Sequence, residues 1–323
     1  MNIKITATSR PECEQFLKIR ADGEEFQTID EFLKVHPNPT EEYLNNTCFL
    51  SYRGKEISFE DYINEYRTFT ETMGFVRFQK PAIILDASIK AAAYFTQKAI
   101  ECLQFARFFT IKSALLIDNN FNIHWSQGYA PQFLFRCIYF GTSTTWFSNA
   151  FDHVLQSVYW AKKLYTSVKD RNDQLYDNTW DTKKILENCT YEFVVGELKE
   201  RGLRDCRKHL TACSSKIEEV RKWANYIKHK GGIDYKFLEA EAPFQIYYVP
   251  VEEGQNAGKS ANSPVTPPDE KYKLKDVKSP IEIDIDEKLQ VLVDAHTAVF
   301  QCINNTITDI DYENHSIRMG GQN

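Results

Sequence analysis

The chain has 323 residues, of which 42% are hydrophobic and 14% aromatic, and a formal net charge of -6. That composition supplies a sizeable hydrophobic core and excludes a chain disordered throughout. No strongly basic stretch dominates, which counts against a protein that coats DNA nonspecifically while leaving room for local positive patches on RNA.

Residues 1–80 read as a small mixed N-terminal subdomain. Helices are expected from Pro11 to Ile19 and from Thr28 to Val35, until Pro37, Asn38 and Pro39 interrupt the pattern. Cys48 to Tyr52 reads as a strand. Ser58 is placed to cap a further helix, with Asp61 three residues later.

Residues 85–235 carry the strongest signal, that of a helical bundle. From Ile89 to Ile117 there is no Pro or Gly, and Ala91, Ala92, Ala93, Ala99 and Ala106 favour helix, with Asp86 or Ser88 at the start. Apolar residues surround most of that segment, as expected of a central helix. A second helix is expected from Pro131 to Tyr139, interrupted at Gly141-Thr142-Ser143, and a third from Ser148 to Val168. Thr182 to Leu198 reads as another. The longest late helix is expected from Leu203 to His229, stopping at Gly231-Gly232.

Residues 236–323 change character. Phe237 to Val251 is strand-prone, and 252–280 is rich in Gly, Pro, Asn, Ser and charge, the composition of a linker or long surface loop. Ile281, Ile283 and Ile285 alternate with acids as in a short strand. Asp286 is placed to cap a final helix reaching Asp309, packed on the bundle. The fold class expected is therefore mainly α, with a mixed N-terminal region and short strand-prone segments near the C-terminus.

The chemistry-bearing stretch is Arg221-Lys222-Trp223-Ala224-Asn225-Tyr226-Ile227-Lys228-His229-Lys230. On a helix, Val220, Trp223 and Ile227 form an apolar stripe. Arg221, Asn225 and His229 then fan over an adjoining polar face within about 80°, at about 100° per residue. A cation, an amide and an imidazole so placed suit an RNA phosphate and ribose. His229 is positioned to exchange a proton with a 2′-hydroxyl or leaving oxygen, Asn225 to orient, and Arg221 or Lys228 to offset charge on phosphate. Lys228, Lys230 and Arg221 are the expected RNA-binding cations. The reaction needs no metal or other cofactor.

This late helix, with Asn225 and its Lys228-His229-Lys230-Gly231 ending behind an aromatic-rich helical core, resembles the HEPN superfamily, particularly its divergent bacterial members. The resemblance implies a helical bundle over about residues 85–235 that often forms homodimers. It implies either metal-independent endoribonuclease activity in defence or stress control, or a noncatalytic role in binding RNA or protein and in assembly. Active members use an arginine and a histidine separated by four to six residues. His229 matches the histidine; Arg221 lies seven intervening residues away and Lys222 six, so both stand as candidates for the basic partner. Arg204 and His209 meet the four-residue interval, but His209 falls on the side of the apolar stripe.

Other groups read as structural. The eight cysteines are scattered without a CxxC pair, as expected of reduced, mostly buried thiols. Cys206, His209 and Cys213 share helical spacing but lack a fourth ligand, so core packing is favoured and no metal is expected. His296 and Cys302 belong to the final helix pattern, and His124 with Trp125 to a turn-rich connection. Glu218-Glu219 and Asp284 with Asp286 are expected on exposed elements. The absence of P-loop, dinucleotide-binding, HExxH and GxSxG patterns argues against the corresponding enzyme classes. Met1-Asn2-Ile3-Lys4-Ile5 lacks the apolar segment of a signal peptide, and no stretch has the length of a membrane span, so a cytoplasmic location with no membrane partner is expected.

Overall fold

A computed structural model describes residues 7–9, 17–26, 29–74, 83–84, 86–116, 130–169, 182–230, 233–240, 281–312 and 316–317. The fold is predominantly helical, with a small region of mixed strand and helix at its N-terminal end. Strand β1 is Ala7–Ser9, and β2 (Leu17–Ala21), β3 (Glu24–Phe26), β4 (Cys48–Tyr52) and β5 (Lys55–Ser58) form an antiparallel sheet in the order β3-β2-β4-β5. Helices α1 (Ile29–Val35), α2 (Glu41–Thr47) and α3 (Phe59–Glu71) accompany it.

The expected helix from Pro11 to Ile19 is not formed where residues are described, because Leu17–Ala21 is a strand. Leu17, Ile19 and Ala21 are buried and alternate with less buried Lys18 and Arg20, a period of two. Asp22 and Gly23, at φ 52 and 84, make the tight reversal into β3 that two left-handed residues permit. Arg53 and Gly54, at φ 51 and 74, repeat it between β4 and β5. The Cys48 strand forms as expected, and the Ser58 side chain accepts the Asp61 N–H at 3.0 Å to open α3.

The bundle is built on two long antiparallel helices. Strand β6 (Ile83–Ile84) precedes α4 (Ala87–Ala114), whose start is capped by Asp86, which accepts from the Ser88 and Ile89 N–H groups. Helix α5 runs unbroken over Ala130–Ala161. The expected interruption at Gly141-Thr142-Ser143 is thus corrected. Thr142 donates to the Ile138 carbonyl, Thr144 and Thr145 to that of Gly141, and Ser143 across the seam to Ala106. The hydroxyls are satisfied along the helix instead of breaking it. Gly141 serves a close approach, since a Cβ there would lie 2.8 Å from the Tyr235 hydroxyl. Interior hydroxyl pairs Thr110–Ser143 and Thr96–Ser157, both 2.6 Å, fix the α4/α5 register.

The chain leaves α5 through Lys163, at φ 51, into a 3-10 turn over Leu164–Ser167, so the third expected helix ends before Val168. Thr182 to Leu198 divides into α6 (Thr182–Leu186) and α7 (Tyr191–Glu200), the latter capped by Thr190. The long late helix likewise divides, into α8 (Arg204–Lys216) and α9 (Glu218–Lys230). Ile217, fully buried between them, leaves helical geometry at φ -103, ψ 11. Strands β7 (Asp234–Tyr235) and β8 (Leu238–Ala240) follow; β7 pairs in parallel with β9 (Glu282–Ile283), and β8 with β1. Helix α10 (Ile285–Ile310) closes the bundle and β10 (Ser316–Ile317) returns to β6. Its cap is Asp284, two residues before the expected Asp286. The 252–280 segment, His124 and Trp125 lie outside the described residues.

The acids at the start of α10 are corrected from exposed to structural. Asp284 is 7% exposed and accepts from Arg53; Asp286 accepts from Tyr52 at 2.7 Å and from the buried Arg136 at 2.5 Å. Arg136 also donates to the Ser113 carbonyl. This cluster clasps the N-terminal sheet to α5 and α10; most buried apolar side chains of sheet and bundle share one core, and Ile89, Ala92, Ile310 and Tyr312 form a second, small one.

Candidate functional site

Helix α9 owes its amphipathic lie to sequence. Val220, Trp223 and Ala224 are buried, with Trp223 5.4 Å from the Phe140 ring, while Lys222, Asn225, Lys228 and His229 are exposed. Glu218 and Glu219 occupy the first turn, where the helix dipole favours acids. Lys222, Asn225 and His229 come together on the outward face and line one open groove of about 1240 Å³, which Arg221 also lines. The groove continues past Ser215 to Ile281 and Val291.

The structure separates Arg221 from the other three in role. Its guanidinium carbon lies 5.1 Å from the Phe151 ring centre and 5.9 Å from that of Tyr191, which turns the cation toward α5 and α7. Among the described residues, its Nε is buried without a hydrogen-bond partner. Lys228 leans to the same seam and donates to the Asn149 side chain at 2.8 Å. The side chain of Lys230 lies outside the described residues.

Asp152 belongs to this seam and the sequence did not reveal it. It sits one helical turn beyond Asn149; burial pushes its carboxyl above the usual range, opposed by the positive charges of Arg221 and Lys228 and by His153. Nearby, burial and then Asp152 push the Cys189 thiol up to about 12. Asn149, Asp152 and Tyr191 reach α9 only through packing of separate elements. Within their own segments they read as ordinary polar and aromatic helix positions.

The remaining candidates are structural where described. His209 Nδ1 lies 2.9 Å from the Asp309 carboxylate. Cys206 and Cys213 are buried, and burial pushes Cys206 up to about 12. Cys302 is held well above the ordinary thiol value, first by its hydrogen bond with Cys213 and then by burial. Such thiols are poor nucleophiles at neutral pH. Among the described residues, no cluster of three or more His, Cys, Asp or Glu side chains is arranged to hold a metal ion. Among them too, no helix is long and apolar enough to cross a membrane.

The α9 face therefore offers an ammonium, an amide and an imidazole to one open groove, over a half-buried guanidinium fixed on aromatic rings. Glu218 and Glu219 border the same groove, and Lys288 pairs with Glu219 at 2.9 Å. Compared with family models, curated proteins and solved structures, the chain matches none.

Proposed function

We propose that the protein is a HEPN-like RNA-associated protein that holds the phosphodiester backbone against the outer face of α9. The observation that carries this reading is the shared exposure of Lys222, Asn225 and His229 on one groove, which the half-buried Arg221 also lines. Lysine supplies the sequence-independent attraction to phosphate, and the amide and imidazole supply hydrogen bonds to phosphate or ribose. The turn of Arg221 toward Phe151 and Tyr191 favours binding over cleavage, because it withdraws the strongest cation from the open face.

Metal-independent cleavage is the catalytic extension of the same contact. It is favoured by the exposure of His229 on the face that also presents Lys222, six intervening residues earlier. There His229 exchanges the proton of the 2′-hydroxyl or leaving oxygen while Lys222 offsets charge on phosphate.

Fluorescence anisotropy with a labelled RNA pool tests the binding reading. Binding is expected to weaken with salt, and Lys222→Ala is expected to weaken it across sequences and lower the salt slope by about 1. No binding at low salt by the folded parent overturns the proposal. Incubating the same pool in EDTA with the parent and with His229→Ala tests cleavage: a parent activity lost in the variant supports it, and unchanged activity rejects His229.

A further inference from the structure

One stripe of α5 is lined for an apolar guest. Leu134, Ile138, Thr142, Trp146 and Asn149 follow one another at three- and four-residue spacing, so they lie along a single side of the helix. They border an open trough of about 450 Å³, within the range of small-molecule sites. Ile227 of α9, Tyr235 of β7 and Leu238 of β8 form the facing wall. The Thr142 and Thr145 hydroxyls donate back to the Ile138 and Gly141 carbonyls at 2.7 and 3.2 Å, so neither asks for a polar ligand. Ile138, on the rim, is 49% exposed, a cost in water that an apolar guest removes.

One end of the trough is polar. Asn149 lines it, and its side-chain oxygen accepts from Lys228 at 2.8 Å. Among the described residues, the amide N–H donors of Asn149 have no acceptor and the Lys228 ammonium has no carboxylate within ion-pair distance. Asp152, one turn further along α5, does not border the trough, and Lys228 does not border the α9 groove. An ammonium and an amide that share one bond and keep donors to spare make a seat for an anionic oxygen.

Length selects the ligand. From Leu134 to Asn149 the trough follows α5 for about 22 Å, at about 1.5 Å per residue. One acyl chain spans about 15 Å, half the hydrocarbon thickness of a bilayer, which leaves room for a terminal carboxylate at the Asn149 end. A nucleotide fits poorly, because its ring polar atoms would face walls that offer no partner. A neutral apolar molecule would leave the amide and ammonium donors unused.

We infer that this trough binds a free long-chain carboxylate, a fatty-acid anion, with its chain along Ile138, Trp146 and Leu238 and its carboxylate on Lys228 and Asn149. The chain supplies most of the affinity and the two donors fix its direction. The site is separate from the outward face of α9 and does not depend on RNA binding there.

Displacement of a fluorescent fatty acid from the full chain tests it, with dodecanoate, decanoate and octanoate as competitors and circular dichroism confirming the fold of each variant. Dodecanoate is expected to bind saturably, and each methylene removed to weaken binding about threefold. Dodecanol, with the same chain and no charge, is expected to bind about tenfold more weakly. Lys228→Met is expected to weaken dodecanoate by about the same factor and to leave dodecanol unaffected. Thr142→Trp fills the trough and is expected to abolish binding of both. A folded parent that binds no dodecanoate overturns the proposal. So does an affinity that ignores chain length, survives Thr142→Trp, or is the same for dodecanol. Association with phosphatidylcholine–phosphatidylglycerol vesicles in place of free dodecanoate overturns it in favour of a membrane surface.

Discussion

Arg136 and Arg221 both lie beside aromatic rings and near an aspartate, and they do opposite things. Arg136 is 2% exposed and has its hydrogen bonds placed: Ser113 carbonyl, Tyr52 hydroxyl at 2.9 Å and Asp286 at 2.5 Å. Burial alone would raise Asp286, but Arg136, Tyr52 and Arg53 outweigh it and hold the carboxyl below its ordinary range. Arg221 is half-buried on Phe151 and Tyr191, its Nε is bare, and burial leaves Asp152 raised in spite of it. A guanidinium whose donors are consumed by the fold is a structural clasp. One stacked on rings with its Nε buried, among the residues lining an open groove, lends charge to that groove more than hydrogen bonds.

The sharpest way to break this contrast is Arg136→Ala. It leaves Asp286 without its main partner and is expected to cost about 3–5 kcal/mol in urea unfolding. A loss below about 1 kcal/mol would mean that the clasp is not structural. Replacing both partners, Arg136→Met with Asp286→Leu, is expected to recover most of that stability.

Next in size is a buried group with no counter-ion. His296 is 2% exposed, its Nε2 has no hydrogen-bond partner among the described residues, and burial followed by Arg107 lowers it from 6.5 to about 4. The unfolded chain takes up a proton as pH falls through about 6.5 while the folded chain does not until about 4, so stability is full above that window and falls within it. About 3 kcal/mol is expected to be lost between those limits. His296→Leu should remove that share of the pH dependence in parallel unfolding curves; an unchanged difference would show that the ring is not held neutral by burial.

Arg221→Ala is expected to change stability by only about 1 kcal/mol, the scale of a stacked cation, while weakening RNA binding. A loss as large as that at Arg136 would sink the distinction between the two arginines. Smallest is Asp152→Asn. A raised aspartate favours the fold below its ordinary pKa and loses that contribution as pH rises through the folded value, opposite in sign to Asp286. The variant is therefore expected to be slightly more stable at neutral pH, with the gain vanishing in acid.

The helices were legible because helical period, alanine content and the caps Asp86 and Ser58 are local properties. The Asp22-Gly23 reversal, flanked by alternating Leu17, Ile19 and Ala21, carried a hairpin signal that the helical reading of residues 11–19 passed over. Gly141-Thr142-Ser143 misled for a different reason. Glycine costs a helix only about 1 kcal/mol, which packing outweighs here, and the Ser143 hydroxyl finds the Ala106 carbonyl on α4. Of the site, the shared face of Asn225 and His229 followed from spacing on one helix, whereas Arg221, expected beside them, is turned onto Phe151 and Tyr191 and Lys222 is the exposed cation next to them.

Sequence by itself determined a mainly helical chain and which face of α9 meets water, since both follow from residue type and angular period. Tertiary structure alone decided that Arg221 lies on Phe151 and Tyr191, that Asp152 joins its seam, and that Asp284 and Asp286 clasp two arginines. Those partners come from elements separated by tens of residues or more, and only packing brings such groups within reach of a charge.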